Sequence, residues 1–298
     1  MRGTQIGLNG QNFFYRSWGP ADGPVILMLH GFPEYSGAWE ELAAQLPHHH
    51  IIAPDQRGYG QSWAPTAVAE YATSKLVGDM AALIGALGLG PVTVLGHDWG
   101  SAVAYGLAMF RPELVKHLIV MNGVHPAPFQ QALAAGGAQT AASQYINWLR
   151  AEGTEARLQD NDFARLRGLF SAHMDMAWLD GQKLQAYPHE WARPGRLRGM
   201  LNWYRASPLV VAKPGTPVTD LPTLPRDRLQ VRAPHLLVWG ENDTALLPEA
   251  TEGLEAFCTD LTRRSIAGAD HWLHHQKPAE VAHEITRWLA QHPWPCGI

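Results

Sequence analysis

The run Val92-Thr93-Val94-Leu95 leads into Gly96-His97-Asp98-Trp99-Gly100 and then into a helically spaced stretch, Ser101 to Phe110. Glycines on both sides of a reactive residue let a strand turn sharply into a helix and expose the central side chain, the geometry of a nucleophile elbow. The helix N-terminus beneath such a turn favours negative charge. Asp also serves as an ordinary helix N-cap, but strand, elbow and helix in this order favour a nucleophile at Asp98. A carboxylate of ordinary pKa ~3.9 is ionised at neutral pH and needs no base to activate it. It can displace a leaving group from a saturated carbon and form an ester, whose carbonyl activated water then attacks. A serine would be left as an inert ether. Asp98 therefore points to alkyl rather than acyl transfer.

Cleaving that ester takes a base for water. His271, in Gly268-Ala269-Asp270-His271-Trp272, is the candidate, with Asp243 in Trp239-Gly240-Glu241-Asn242-Asp243 as its orienting acid. Asp98, Asp243 and His271 follow one another in the chain order nucleophile, acid, histidine. His274 and His275 fall in or beside the start of a helix rather than in the loop, and Glu241 is a weaker alternative to Asp243.

The elements that must position these groups alternate. Val25–Leu29, Ile51–Ala53, Val92–Leu95, Leu118–Met121 and Leu236–Trp239 are short apolar runs ending in turn residues, as strands buried on both faces require. Helical spacing fills Ala38–Leu46, Glu70–Leu87 and Ser101–Phe110, and Pro278 with Glu280 opens a final helix. This alternation predicts an α/β parallel sheet with helices on both faces. The rhythm fails over residues 126–225, which are rich in Trp, Arg and Pro and hold no apolar strand. That stretch reads as a helical insertion whose tail, with Pro214, Pro217, Pro222 and Pro225, is an irregular return connection. The predicted division is a core of residues 1–125 and 226–298 with a helical cap of residues 126–225.

Five motifs in order resemble the α/β-hydrolase superfamily and, within it, the epoxide hydrolase-like branch: His30-Gly31-Phe32-Pro33-Glu34, Asp55-Gln56-Arg57-Gly58-Tyr59-Gly60-Gln61-Ser62, the Gly-His-Asp-Trp-Gly elbow, and the Asp243 and His271 loops. The resemblance implies the α/β-hydrolase fold, a mostly parallel central sheet flanked by helices with the cap inserted after the sixth strand. It implies an oxyanion hole from the backbone N–H groups of Phe32 and Trp99, a cis Pro33, and two cap tyrosines that grip the epoxide oxygen. Tyr204, in Leu201-Asn202-Trp203-Tyr204-Arg205, and Tyr145, in Ser143-Gln144-Tyr145-Ile146-Asn147-Trp148, match those tyrosines; Tyr187 is a weaker match. His30, Asp55 and Arg57 read as scaffold contacts. Asp270 replaces a frequent glycine, and His275 an acidic residue, beside the base.

The implied reaction converts an epoxide to a vicinal diol, with a small apolar epoxide and water as the only partners and no cofactor or metal. A haloalkane dehalogenase with Trp99 donating to the halide is the alternative, and Phe32 stands where one such group has Asn. A non-catalytic binder on the same fold is a third, since fold does not fix function.

Composition excludes other classes. The chain has 298 residues, 46% hydrophobic and 17% charged, with a net charge of -4. It has no basic footprint for nucleic acid. Cys258 and Cys296 form no CxxC pair, and His48-His49-His50 suits a solvated loop better than a metal site. The uncharged stretch from Met80 to Gly96 is broken at Gly90-Pro91 and is too short to span a membrane. The expectation is a soluble cytoplasmic protein, monomer or homodimer.

Overall fold

The computed structural model describes residues 1–172, 174–221 and 225–293; Pro222 and Cys296 lie outside the described residues. The strands are β1 (Arg2–Leu8), β2 (Gln11–Trp18), β3 (Val25–Leu29), β4 (His50–Asp55), β5 (Val92–His97), β6 (Val115–Met121), β7 (His235–Gly240) and β8 (Leu261–Ile266). They form one sheet in the order β1-β2-β4-β3-β5-β6-β7-β8. The pairs β1·β2 and β2·β4 are antiparallel, and every pair from β4 to β8 is parallel.

The apolar runs form central strands because both faces of the sheet are covered. In β3, Ile26 and Met28 join one buried cluster while Leu27 and Leu29 join the other; in β6, Ile119 and Met121 oppose Leu118 and Val120 in the same way. Such strands carry no polar face and read as continuous hydrophobic runs. The first cluster packs beneath α1 (Glu40–Ala44) at Leu42 and Ala43. The second packs beneath α2 (Thr73–Ala86) and α3 (Trp99–Phe110).

Helix boundaries depart from the sequence pattern where local geometry intervenes. Ser36–Trp39 is a 3-10 turn preceding α1. Ala72 is extended, which separates the turn Val68–Tyr71 from α2.

After β6 the chain forms α4 (Pro126–Ala134), α5 (Ala138–Ala142), α6 (Gln144–Arg150), α7 (Thr154–Phe170), α8 (Gly181–Trp191) and α9 (Arg196–Ala206) before returning to β7. Helix α7 is interrupted at Asp160–Phe163. Past β8 come the short α10 (Leu273–Gln276) and then α11 (Pro278–Gln291), which completes the first cluster with Val281, Ile285 and Trp288. Among the described residues, no helix is long and apolar enough to cross a membrane.

Candidate active site

Strand β5 delivers Asp98 to the carboxyl edge of the sheet, where its backbone adopts φ 49°, ψ −121° before α3 begins. A non-glycine residue there is strained, and such strain persists only where the surroundings enforce it. Close approach explains the flanking glycines. A Cβ on Gly96 would lie 2.6 Å from the Gly100 carbonyl oxygen, and one on Gly100 would collide with the Leu29 carbonyl. Because the Leu29 and His30 carbonyls that a Cβ on Gly100 would meet are backbone, Gly100→Ala is expected to cost at least ~3 kcal/mol, the upper end for overpacking, read as a fall in the urea midpoint.

The Asp243 loop follows β7, and its carboxylate is fully engaged. Oδ1 accepts from the backbone N–H of Ala245 (2.8 Å) and of Leu246 (2.9 Å), and Oδ2 from Asn122 Nδ2 (2.6 Å). Oδ2 also meets His271 Nδ1 at 2.7 Å, which leaves Nε2 of His271 3.7 Å from Asp98 Oδ2. Burial works against the charge of Asp243, but His271 and these donors hold its pKa below the usual carboxylate value. Burial likewise opposes charge on His271. The Asp243 carboxylate and its hydrogen bond outweigh it, the charges of Asp98 and Glu34 add to them, and the His271 pKa is pushed up to about 9.

A histidine whose pKa rises on folding stabilises the protein fully below its unfolded pKa, ~6.5, and loses that contribution as pH climbs through the folded value. Between pH 6 and pH 10 the parent should therefore lose about 3 kcal/mol more stability than His271→Gln. Paired urea titrations at the two pH values measure it, and equal losses would contradict the raised pKa.

Facing Asp98 is a cavity of about 270 Å³ whose walls include Asp98, Phe32, His271, Tyr145, Tyr204 and Trp272. The Phe32 backbone N–H donates to Asp98 Oδ1 at 2.7 Å, next to a cis Phe32–Pro33 bond. Trp99 is the first residue of α3, so its N–H has no partner within the helix. Tyr145 comes from α6 and Tyr204 from α9, and their rings lie 6.3 Å apart, edge to face. Burial, reinforced by the negative charge of Asp98, raises both phenol pKa values well above 10. Both therefore keep their protons at any ordinary pH. Tyr187 is placed elsewhere, with its hydroxyl donating to Glu34 Oε1 at 3.1 Å.

Residues 24–278 match the alpha/beta hydrolase fold family. This chain is an α/β-hydrolase of the epoxide hydrolase-like branch. This α/β-hydrolase is 32% identical to the AB hydrolase superfamily protein YfhM of Bacillus subtilis (strain 168), over 95% of this chain and 96% of that one. It is 31% identical to Epoxide hydrolase 4 of Homo sapiens, over 95% of this chain and 77% of that protein. Among solved structures, one of the novel epoxide hydrolases from metagenomes of hot environments superposes with a TM-score of 0.87 at 32% identity, covering 99% of both chains.

Behind the site, the α/β-hydrolase buries a second tier of polar groups whose connections sequence reasoning missed. His97 Nε2 bonds the His271 carbonyl at 2.8 Å, and its Nδ1 lies 3.4 Å from Glu34 Oε2. Glu34 also meets His275 Nε2 at 2.8 Å, and His275 Nδ1 meets Glu41 at 2.9 Å, with Lys183 paired to Glu41 at the surface. His275 thus bridges two carboxylates, which raise its pKa against the pull of burial.

Glu34, His274 and His275 bring ligand-type atoms within 4.8 Å of one another. Within this group Glu34 Oε1 and His275 Nε2 are bonded directly to one another. Asp270 accepts from the backbone N–H of Asp175 (2.7 Å) and of Trp272 (2.9 Å), tying a segment of the helical layer to the His271 loop. The charges that raise the His271 pKa most are Asp243, Asp98 and Glu34. Asn122, at φ 33° after β6, also escaped notice. A lone Asn past a buried strand carries no local signal of its partner 121 residues on.

Proposed function

We propose that this α/β-hydrolase converts epoxides to vicinal diols through an ester on Asp98. The observation that carries this reading is the cavity itself, which sets two protonated phenols against one carboxylate and a paired histidine. An Asp98 oxygen attacks a ring carbon as the ring C–O bond breaks, and the departing oxygen takes a proton from Tyr145 or Tyr204. At neutral pH the resting His271 is an imidazolium. Esterification removes the Asp98 charge beside it, so its pKa falls, and its proton reaches the phenolate through solvent.

Neutral His271 then takes a proton from water, which attacks the ester carbonyl. The N–H groups of Phe32 and Trp99 hold the oxyanion, a contribution of ~3–4 kcal/mol per donor in related chemistry. Collapse breaks the ester, the imidazolium proton passes to the leaving alkoxide, and the carboxylic acid formed on Asp98 returns its proton to His271. Asp98 and His271 are restored, and the net change is epoxide plus water to diol. Residues 126–225 act as the cap that supplies the phenols, and residues 1–125 with 226–298 as the core that supplies the other groups.

Replacing His271 by Gln should trap the ester. Intact mass spectrometry after incubation with styrene oxide should show a gain of one whole epoxide, located by digestion to the peptide holding Asp98. An inactive variant without adduct, or an adduct elsewhere, overturns the covalent route. A dehalogenase would instead gain the haloalkane mass less hydrogen halide. The Trp99 ring stands edge-on to Tyr204 at 5.0 Å, packed on a phenol of the site, which supports the epoxide reading over halide binding.

A further inference from the structure

The stretch that leads into α8, and α8 itself, are tied to the core at both ends. The Asp175 N–H donates to Asp270 and its carbonyl accepts from Gln276 Nε2 at 2.8 Å, while the Trp191 indole donates to the Pro33 carbonyl at 2.6 Å. Of the described residues between Met174 and Tyr187, Trp178 and Tyr187 are buried and the rest are half-buried or exposed. Both buried rings rest on His275. The Trp178 ring lies flat on the imidazole, with centroids 3.8 Å apart and planes 5° from parallel. The Tyr187 hydroxyl stands 3.4 Å from His275 Nε2 as it donates to Glu34.

Both nitrogens of His275 face carboxylate oxygens, Nε2 meeting Glu34 Oε1 at 2.8 Å and Nδ1 meeting Glu41 Oε2 at 2.9 Å. An ionised carboxylate only accepts, so both contacts are hydrogen bonds when both nitrogens carry a proton. The neutral ring would turn a lone pair on one of the two anions. Burial works against the charge of both carboxylates. The histidines around Glu34 nevertheless hold its pKa well below the usual value, and His275 with Lys183 brings that of Glu41 down to about 2. An imidazolium is also drawn to the face of the indole above it. The other titratable groups around His275 keep fixed states. Burial keeps His274, its neighbour on α10, neutral with a pKa of about 3, and raises the Tyr187 phenol well above 10. From α8, Lys183 pairs with Glu41 and donates to the Trp178 carbonyl at 3.2 Å. From β5, His97 stands on the far oxygen of Glu34.

We propose that His275 is a proton-operated latch, whose imidazolium holds residues 176–190 of the helical layer against the core and whose neutral form releases them. The latch bears on the first cavity through Phe170, one of its walls. Trp178 and Tyr187 pack on that ring at 5.4 and 5.2 Å, so their release removes the backing of the wall. His275 touches none of the reacting groups and is a positioning residue, and the latch does not depend on what Asp98 attacks. Since the two carboxylates raise the His275 pKa against burial, the clamp is complete below the ordinary histidine value of ~6.5 and weakens as pH climbs above it.

Hydrogen exchange of the full chain without substrate, at pH 6 and pH 9 and corrected for the intrinsic rate, reads this local opening. Protection of peptides from residues 176–190 should fall at least ~10-fold from the lower to the higher pH, the factor for each unit by which the closed state raises the pKa. Peptides from α2 should hold their protection. His275→Gln should leave residues 176–190 poorly protected at both pH values, with no fall between them. Glu41→Gln, a change at a partly exposed side chain, leaves one carboxylate on the imidazole and should show a smaller fall than the parent. It keeps the test decisive if His275→Gln does not fold. Parental protection equal at the two pH values overturns the latch, as does a fall of parental size in either variant.

Discussion

Asp98→Gly is expected to lower epoxide turnover on the order of 10⁵-fold or more, the scale seen when a covalent nucleophile is removed, while the protein stays as stable as its parent. The two effects separate because the side chain is both reactive and strained. At φ 49°, ψ −121° an L-residue carries a backbone cost of roughly 1–3 kcal/mol. Glycine relieves it and forfeits about 0.5–1 kcal/mol of chain entropy. The bond from the Phe32 N–H to Asp98 is also lost, at a net ~1 kcal/mol. These terms nearly cancel. Initial rates with styrene oxide, beside urea midpoints, read both quantities. A variant keeping a few per cent of parental turnover would remove Asp98 from the covalent step.

The second large effect is expected from the phenols. Tyr145→Phe with Tyr204→Phe should slow ring opening by about 10²–10⁴-fold, the usual yield of general acid catalysis. Each single change should cost less, because the neighbouring ring 6.3 Å away still presents a donor. Rapid-quench single turnovers should place the loss in ester formation and leave ester hydrolysis near the parental rate. Since both phenol pKa values are raised above 10, ring opening in the parent should show no loss from phenol ionisation up to pH 10. A double variant opening epoxides at the parental rate would assign the acid role elsewhere.

The sequence made legible those features whose cause is local. Central strands announce themselves because burial on two faces demands unbroken apolar runs, and the elbow because glycine is the only residue its backbone contacts allow. Edge strands were passed over. In β1 the exposed residues Arg2, Gly3, Gln5 and Gly7 interrupt any hydrophobic run, and β8 carries Arg263 and Arg264 on a half-wet edge. The hairpin β1–β2 did leave a trace in Asn9-Gly10, both at positive φ, the pair such two-residue turns prefer. Asp98, Asp243 and His271 were readable because motif and chain order locate them. Glu34, His97 and Asn122 were not, since each takes its meaning from a group brought near only by folding. Tyr145 and Tyr204 fall between, found by resemblance and brought to one cavity by α6 and α9.

The carboxylate rises from the sheet while the phenols descend from the helical layer, so a three-membered ring held between them is struck from one side and released on the other. On the proposed ester route, attack in that frame inverts the carbon it reaches, and hydrolysis at the carbonyl of the ester leaves the new carbon–oxygen bond untouched. A cis-disubstituted ring must then open to the threo product and a trans ring to the erythro product, whichever carbon is chosen.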